Sequence, residues 1–181
     1  APYVPHVPIR IDSNADFDTA HGVVNEATGD GSVSNPWLIE GWDIDGTGAG
    51  YCVYIGNTTD NFTVKDCYLH DASGVSIPPY YLNAGLILYN LTLGNVANNI
   101  VSSNEEGGIS LYSSSSNTIA NNTVSNNYNG ISLQLGSNSN IITNNTASFN
   151  GWAGIYLETS SGNIIANNNA SSTSTFYGIH L

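Results

Sequence analysis

The sequence predicts an all-β fold, a parallel β-helix (a solenoid) with coils of about 23 residues. A glycine opens a segment of the type Gly-Ile-x-Leu, an Asn pair follows, and this motif occurs four times in the second half. The glycines are Gly85, Gly108, Gly130 and Gly154, the opening segment returns at Gly178, and the spacings are 23, 22, 24 and 24 residues. Apolar and polar residues alternate within each copy, which is the period of a strand with one buried face.

Each coil is expected to hold three short strands and three turns, and to stack on the previous coil at roughly 4.8 Å. Equivalent residues of successive coils then form columns along the axis. We expect these columns to form the hydrophobic core. The predicted columns are Val96, Ile119, Ile142 and Ile165 on one strand and Leu88, Leu111, Leu133, Leu157 and Leu181 on another.

The Asn pair recurs at an unbroken step of 23 residues and is expected at a corner between two strands. One member should adopt the left-handed backbone conformation, which Asn tolerates better than most residues. The other can point inward and hydrogen-bond its equivalent one coil away, although spacing alone does not settle which member does so. We assign this structural ladder to Asn99, Asn122, Asn145 and Asn168.

The composition fits in-register stacking, because a charge repeated in every coil would face its own sign about 5 Å away. Only 9% of the residues are charged, against roughly a quarter in an ordinary domain, and 26 Asn residues supply polarity instead. The net charge is −12, with Arg10 and Lys65 as the only Lys or Arg residues. This balance excludes nucleic acid and anionic membrane surfaces as natural partners, and the sequence contains no apolar run for membrane insertion.

The first half is less regular. Residues 1–35 are predicted to form an extended N-terminal segment and a cap, because Pro2, Pro5 and Pro8 disfavour the interior of a sheet. Residues 36–181 are predicted to form the β-helix, with two irregular coils over 36–71. The step from Cys67 to Asn99 is 32 residues, nine more than a regular coil, and predicts a loop insertion at about 71–84.

The C-terminal end of the solenoid is expected to be open, since the sequence stops in the first strand of a coil. One interpretation is that these residues are a piece of a longer protein. The other is that another copy covers the open end, head to tail, as a filament or surface layer. The assembly interface predicted for this case is Gly178, Ile179, His180 and Leu181 at one end and Tyr3, Val4 and Ile9 at the other.

An extracellular or cell-surface location is expected, because the chain begins at Ala1 without an initiator Met, as a processed secreted protein does. Cys52 and Cys67 could form a disulfide worth about 3 kcal/mol, with free buried thiols as the alternative. Six Asn-x-Ser/Thr sequons are possible N-glycosylation sites, of which the first three are the better candidates. They are Asn57, Asn61, Asn90, Asn121, Asn144 and Asn169.

No enzymatic activity, cofactor or resident metal is expected. A glycoside hydrolase needs carboxylates about 5 to 9 Å apart across a groove, and only Glu105, Glu106 and Glu158 follow residue 71. The segment Asp43–Gly46 faintly suggests a calcium turn, although strand carboxylates facing water explain it better. We interpret His70 beside Asp71 as a solvated loop pair.

Aromatic residues crowd the first half, where exposed rings could stack on sugars or dock a second subunit. They are Trp37, Trp42, Tyr51, Tyr54, Tyr68, Tyr80 and Tyr81.

The repeat Gly-Ile-x-Leu followed by Asn-x-Ile-x-Asn-Asn-x-Val resembles that of the NosD-type and carbohydrate-binding/sugar-hydrolase (CASH) families. The stretch from Asn35 through His70 is similar to the leading coils of archaeal cell-surface members of that group. The resemblance covers roughly residues 33 to 181 and implies a right-handed parallel β-helix. It transfers no catalytic or metal residue. We therefore expect an extracellular structural protein that assembles with other copies of itself, or alternatively a polysaccharide-binding or polysaccharide-degrading module of a larger surface protein.

Overall fold

The computed structural model describes residues 2–74, 83–172 and 176–181. These ranges contain twenty strands and two short 3-10 helices, Asn14–Asp16 and Thr19–His21. The strands form three parallel sheets of seven, seven and six strands, so each coil contributes one strand to each sheet. This is a parallel β-helix of triangular cross-section, as the 23-residue period predicts.

The three sheets are called A, B and C, and their strands are given in order along the solenoid axis. Sheet A contains β1 (Val4–Pro5), β4 (Trp42–Gly48), β7 (Tyr68–Gly74), β10 (Ile100–Ser102), β13 (Thr123–Ser125), β16 (Thr146–Asn150) and β19 (Asn169–Ser172). Sheet B contains β2 (Ile9–Ile11), β5 (Tyr51–Gly56), β8 (Ala84–Tyr89), β11 (Gly107–Tyr112), β14 (Asn129–Gln134), β17 (Ala153–Leu157) and β20 (Tyr177–His180). Sheet C contains β3 (Trp37–Glu40), β6 (Phe62–Lys65), β9 (Gly94–Ala97), β12 (Thr118–Ala120), β15 (Ile141–Thr143) and β18 (Ile164–Ala166).

The strand register reproduces the predicted core columns. Ile119 pairs with Val96 on one side and Ile142 on the other, and Leu111 pairs with Leu88 and Leu133. Ile119, Leu111 and Val124 are all fully buried. The core is therefore a set of aliphatic stacks that run along the solenoid axis, and burial of such apolar surface is its main source of stability.

Three corners separate the sheets. Left-handed residues followed by buried polar residues recur at each corner, and the third corner has two such steps, Ser113–Ser114 and Ser116–Asn117. At the first corner, between sheets C and A, Asn98 and Asn121 have φ values of 58°. Each is followed by a ladder residue, Asn99 or Asn122, that is only 1% exposed. The first member of the pair therefore makes the turn, and the second points into the core.

The inward residues form continuous hydrogen-bonded ladders. The Asn99 backbone N–H donates to Asn122 Oδ1 at 2.9 Å, and Asn99 Nδ2 donates to the same oxygen at 3.0 Å. Asn122 is bonded in the same way to Asn145, and Asn145 to Asn168. Each amide oxygen therefore accepts a hydrogen bond from a backbone N–H of the preceding coil. That N–H lies at the corner, where no strand partner can accept from it.

Two further ladders occupy the other corners. Asn104, Asn127 and Asn150 stack at the second corner, between sheets A and B. Asn117, Asn140 and Asn163 stack at the third, between sheets B and C. Both sets recur at steps of 23 residues, so the sequence contained this signal in addition to the Asn pair.

The repeated glycine near the start of each long sheet B strand is required by close packing. A Cβ atom on Gly108 would lie 2.2 Å from Val124 Cγ1 and 2.6 Å from the Gly130 carbonyl oxygen. The inward valine and the neighbouring backbone are both fixed by packing, so neither can move away to make room for a Cβ atom. The glycine therefore lets the second corner turn tightly around the core.

The N-terminal segment already belongs to the sheets. Strand β1 pairs with β4, and β2 pairs with β5 through Ile9 and Val53. The backbone N–H of Val24 donates to the Leu38 carbonyl at 2.8 Å, and Val23 bridges Ile39. Residues 23 and 24 therefore protect the edge of sheet C at this end.

At the other end, β18, β19 and β20 have no further strand partner among the described residues. Ile179 continues the buried column of Ile131 and Ile155 but is 45% exposed there. The predicted loop insertion at about 71–84 lies largely outside the described residues, since β7 ends at Gly74 and β8 begins at Ala84.

Candidate functional site: an aromatic and acidic groove at the second corner

Exposed aromatic rings cluster at the second corner of the last coils. Tyr128 precedes β14, Trp152 precedes β17 and Tyr177 begins β20, and their backbones are joined in order by hydrogen bonds of 2.7 and 3.1 Å. Tyr156 and His180 are paired on sheet B beside them. These five residues are called the corner aromatic cluster below.

Ring contacts are continuous through the corner aromatic cluster. The centroids of Tyr128 and Trp152 lie 6.1 Å apart with an interplanar angle of 5°, and Trp152 meets Tyr156 edge-on at 4.9 Å. Tyr177 stacks on His180 at 4.4 Å. Tyr128 and Tyr177 are nevertheless 53% and 46% exposed. Rings that are packed laterally yet open to water form a preorganised apolar surface.

A groove of about 390 Å³ adjoins the Tyr128 end of this cluster and is lined by Glu105, Glu106 and Tyr128. Burial, and then the charge of the adjacent Glu105, raise the pKa of Glu106 above its usual value. Two consecutive carboxylates held at one corner concentrate negative charge, which costs stability where no cation faces them.

Two buried amides border the same glutamates. The Glu106 backbone N–H donates to the Asn83 carbonyl at 2.9 Å, and the Asn129 N–H donates to the Glu106 carbonyl at 2.8 Å. Asn83 Nδ2 donates to Glu105 Oε2 at 2.5 Å. Asn83 and Asn129 are each 7% exposed, and the side-chain oxygens of both lack a hydrogen-bond partner in the part of the chain that is described. An unsatisfied acceptor at this depth is unfavourable for stability.

Three of the first-half aromatic residues that the sequence predicts as candidate binding rings are covered or partly covered. Tyr54 is buried in a cluster with Ala84, Ile87 and Tyr112, while Trp37 and Trp42 pack against the core. Tyr80 and Tyr81 lie outside the described residues. The signal that was missed is the recurrence of Tyr128, Trp152 and Tyr177 at steps of 24 and 25 residues, one ring in each coil.

A second cluster of ionisable groups lies on sheet A of the first coils. His70 Nδ1 is 2.6 Å from Asp71 Oδ2, and His70 Nε2 is 3.0 Å from Asp43 Oδ1. One ligand atom each from Asp45, His70 and Asp71 lies within 4.8 Å of the others. The interpretation of His70 as a solvated loop residue was wrong, because it belongs to strand β7 and its side chain is only 17% exposed.

The chemistry of this cluster is that of an internal ion pair. Partial burial opposes protonation, but the hydrogen bonds to Asp71 and Asp43 outweigh it and raise the pKa of His70. Only the imidazolium can donate from both nitrogens. Asp45 Oδ1 accepts from the Thr47 N–H at 2.9 Å, and a Cβ on Gly46 would lie 2.8 Å from Ala72 Cα. These contacts do not test the calcium turn that the sequence faintly suggests at Asp43, Asp45 and Gly46.

The possible disulfide between Cys52 and Cys67 is absent. Both thiols are free and buried. Cys67 Sγ donates to the Lys65 carbonyl at 3.2 Å at the first corner, whereas Cys52 Sγ donates to the His70 carbonyl at 3.3 Å near the second. The two sulfurs therefore lie towards opposite edges of sheet A. Burial raises the pKa of Cys67 to about 11 and that of Cys52 further, so both stay protonated at neutral pH.

The sequon residues differ in accessibility. Asn121 and Asn144 are exposed turn residues with φ values of 58° and 56°. Asn61 is half-buried and its Nδ2 donates to the Gly31 carbonyl at 3.1 Å. Asn57, Asn90 and Asn169 are exposed, and Asn90 Nδ2 donates to Asn57 Oδ1 at 2.9 Å.

The residues predicted for assembly differ in accessibility. Ile9 is 1% exposed and packs in the core, so its assignment to an interface was wrong. Tyr3 is half-buried at 6.1 Å from the Tyr68 ring, while Val4 is 55% exposed. At the other end Ile179 and Leu181 are exposed, whereas Gly178 and His180 are half-buried.

The triangular cross-section, parallel sheets and stacked polar corners define a β-solenoid protein. A family described as the right-handed β-helix region matches residues 13–171. The chain belongs to this family, and its fold is a right-handed parallel β-helix. No curated protein and no solved structure matched the sequence. A helix long and apolar enough to cross a membrane is not found within the described ranges.

Proposed function

We propose that the protein is a non-catalytic polysaccharide-binding module that acts outside the cell, with the second corner of the last coils as its binding surface. The observation that supports this most directly is the corner aromatic cluster, in which Tyr128 and Tyr177 are about half exposed although their neighbours hold them in place. The apolar C–H faces of pyranose rings pack on such surfaces, and preorganised rings lose little entropy on binding.

The repeat geometry favours a polymer over a small ligand. Tyr128, Trp152 and Tyr177 come from three successive coils, so the cluster extends along the solenoid axis. The groove at Glu105 and Glu106 continues that surface by one coil towards the N-terminus. A linear glycan lying along the axis would contact rings and polar groups in turn.

Absence of catalysis is part of the proposal. Arg10 and Lys65 are the only Lys or Arg residues of the chain. Arg10 contacts Asp12 at 2.7 Å and lies 4.3 Å over the Tyr54 ring, and Lys65 contacts Glu40 at 2.6 Å. Both basic residues therefore serve structural contacts in the first coils, away from the groove.

Titration calorimetry with a panel of neutral, cationic and acidic hexasaccharides tests the proposal. Binding of at least one is expected, and Trp152→Ala should weaken it about tenfold or more, because Trp152 contacts four other members of the cluster. Tyr3→Ala, an aromatic change in the N-terminal segment, should leave affinity within about twofold.

The proposal fails if no hexasaccharide binds, or if Trp152→Ala binds as tightly as the unmodified chain while its circular dichroism shows a folded protein. Mass spectrometry of the same samples after prolonged incubation should find intact hexasaccharides. Shortened products would contradict the non-catalytic assignment alone.

Self-association is a second candidate function, which the exposure of Ile179 at edge strand β20 supports, because the equivalent Ile155 of the preceding coil is buried. Head-to-tail stacking is less favoured than contact between two C-terminal ends. Pro5 stands in edge strand β1 and cannot donate there, and Val24 already bonds β3.

Sedimentation velocity tests this candidate. Contact between two C-terminal ends predicts dimers that the double change Ile179→Asp and Leu181→Asp abolishes, whereas Val33→Asp, at an 81% exposed valine far from that end, leaves them intact. Monomers at all concentrations would reject self-association, and filaments would restore the head-to-tail arrangement.

A further inference from the structure

We propose that Asn57 is an N-glycosylation site and that its glycan lies in a groove at the third corner, where Asn90 orients it. This third-corner groove has a volume of about 360 Å³ and is formed by the turns that follow β5, β8 and β11. It lies at a different corner from the corner aromatic cluster. Modification of Asn57 requires only that the chain is secreted, whether or not the cluster binds a glycan.

The two sequons of the third-corner groove are not a product of the repeat. The residue directly after the sheet B strand is left-handed in four successive coils, with φ values between 48° and 54°. These residues are Asn57, Asn90, Ser113 and Leu135. Because even a leucine makes this turn, the backbone does not require Asn at positions 57 and 90.

The sequons of the first corner do have a structural explanation. The turn residues of the four regular coils there have φ values of 56° to 58° and are all Asn: Asn98, Asn121, Asn144 and Asn167. Asn tolerates this conformation better than most residues. A Thr two positions later then completes a sequon at Asn121 and Asn144 without any need for a glycan. Asn61 is less suitable because its Nδ2 already donates to the Gly31 carbonyl.

Asn57 and Asn90 act together across two coils. Both are exposed, and Asn90 Nδ2 donates to Asn57 Oδ1 at 2.9 Å. This bond uses the oxygen of Asn57 and leaves its Nδ2 without a hydrogen-bond partner among the residues that the structure describes. N-glycosylation modifies that nitrogen and keeps the oxygen as an acceptor. Asn90 therefore fixes the plane of the amide that carries the sugar, and a second glycan on Asn90 would compete for the same groove.

The covalent step precedes folding of the corner. Asn57 Nδ2 attacks the anomeric carbon of an oligosaccharide linked to polyprenyl diphosphate. The bond from that carbon to the phosphate oxygen breaks, the amide nitrogen loses a proton, and polyprenyl diphosphate leaves. Transfer needs an accessible sequon, whereas in the fold Thr58 is 3% exposed and Thr59 Oγ1 accepts from Asn14 Nδ2 at 2.9 Å. The unfolded chain is therefore the substrate.

The third-corner groove offers ordered polar groups to the first sugars. Hydroxyl groups from three coils line it, those of Thr59, Thr92, Ser113 and Ser115 among them. Ser113 Oγ donates to the Leu135 carbonyl at 3.0 Å, and Ser115 Oγ accepts from the Asn138 N–H at 3.1 Å. Both hydroxyls are thus held in place and keep capacity to accept a hydrogen bond from a sugar.

Secretion of the full chain from eukaryotic cells, followed by chymotryptic digestion and mass spectrometry, tests the modification. We expect a glycan on Asn57 that is lost in Asn57→Ser, a change that the fold tolerates because Ser113 makes the equivalent turn one coil beyond Asn90. Asn90→Ser is the matched control, since it makes the same substitution in the next coil and should leave Asn57 glycosylated. Circular dichroism checks that both variants fold.

Endoglycosidase digestion tests whether the third-corner groove holds the glycan. An enzyme that cleaves between the first two sugars should act more slowly on the folded unmodified chain than on folded Asn90→Ser. The expected ratio is about two- to tenfold, because the substitution removes one hydrogen bond that orients the glycan. Heat-denatured samples of the two proteins should be cleaved at equal rates.

The possible results address separate parts of the proposal. If Asn57 is unmodified in folded, secreted chains, or if the glycan is found on Asn90, the site is wrongly assigned. Equal cleavage of the two folded proteins would overturn the roles of the groove and of Asn90. One glycan at this corner, on Asn57, with slower release from the unmodified chain, supports the whole proposal. Hexasaccharide binding by the corner aromatic cluster is measured separately, so its failure leaves these results unaffected.

Discussion

The first coils and the regular coils use different side chains to bond the backbone carbonyls at the first corner. In the regular coils, Asn122 Nδ2 donates to the carbonyls of Val96 and Ala120 at 3.0 and 3.1 Å. In the first coils Cys67 occupies the equivalent position, and its thiol lies 3.9 and 3.2 Å from the corresponding carbonyls of Ile39 and Lys65. A weak thiol donor thus stands where an amide stands elsewhere.

The difference shows that the ladder has a direction. The Cys67 N–H still finds an amide oxygen, that of Asn99 at 3.0 Å, and the Ala72 N–H finds that of Asn104 at 2.9 Å. Each Asn oxygen serves the coil before it. The first residue of a ladder can therefore be Cys or Ala, while an interior residue needs a side chain that accepts from the preceding coil, as Asn does in these ladders.

Removing an interior Asn of a ladder should have the largest effect on the free energy of unfolding. Asn122→Ala removes the acceptor of the Asn99 N–H and the donor to two carbonyls in a site that is 1% exposed. We expect a loss of roughly 3 to 5 kcal/mol in the free energy of unfolding, measured by urea denaturation. Asn168→Ala, at the half-buried end of the ladder, should cost only about 1 kcal/mol. Equal losses would contradict the smaller cost expected at the half-buried end of the ladder.

Exchanging the two cysteines for Asn sharpens the comparison. Cys67→Asn places an amide in a ladder position and should change the free energy of unfolding by no more than about 1 kcal/mol. Cys52→Asn places the same amide in the sheet B core, where Cys52 is fully buried, and should cost about 3 kcal/mol. Urea midpoints of the two variants decide this, and a more damaging change at position 67 would rule out the ladder role of Cys67.

The glutamate pair should cost stability at neutral pH. The folded-state pKa of Glu106 is raised, so its ionisation destabilises the fold as pH rises from its unfolded value towards its folded value. Glu106→Gln should therefore raise the melting temperature at pH 7 by on the order of 1 °C, allowing for solvent screening. The gain should shrink as pH falls and disappear near pH 3, below both pKa values, where both states are protonated. Scanning calorimetry at the two pH values provides the check, and a variant that melts lower at pH 7 would contradict it.

The smallest effect is expected at the ion pair of the first coils. The folded-state pKa of His70 is raised, so its stabilising contribution is complete below about pH 6.5 and declines as pH rises through the folded value. The free energy of unfolding of the unmodified chain should decrease between slightly acidic and alkaline pH, as the contribution of His70 is lost. The His70→Gln variant should not show this decrease. Urea midpoints of both proteins across that range test the sign, and a parallel pH dependence would show that other groups titrate.

Much of the fold could be predicted because in-register stacking makes one period visible at every position. The Val96 and Leu111 columns followed from alternation, and the 23-residue step of the Asn pair placed the first corner. The Asn104 and Asn117 ladders recur at the same 23-residue step, but a single Asn per coil is a weaker signal than an Asn pair in a chain with 26 Asn residues. The interface assignment of Ile9 failed, since short strands interrupted by proline still paired within the chain.

The candidate site was less accessible to prediction. Glu105 and Glu106 were seen only as adjacent acids, and their meeting with Asn83 and Tyr128 depends on three successive coils being superposed at one corner. The burial of Asn83 and Asn129, which leaves their amide oxygens unpaired within the described ranges, is likewise a property of packing.

The sequence by itself determined that this chain is a β-solenoid, because a repeated side chain must meet its own copy one coil away and only certain residues tolerate that contact. Only the tertiary structure decided which rings are covered and which are exposed. Tyr54 and Tyr128 are both tyrosines of a repeat, yet one is 2% and the other 53% exposed. Exposure at a corner depends on what the neighbouring coils place there, and a period cannot encode that.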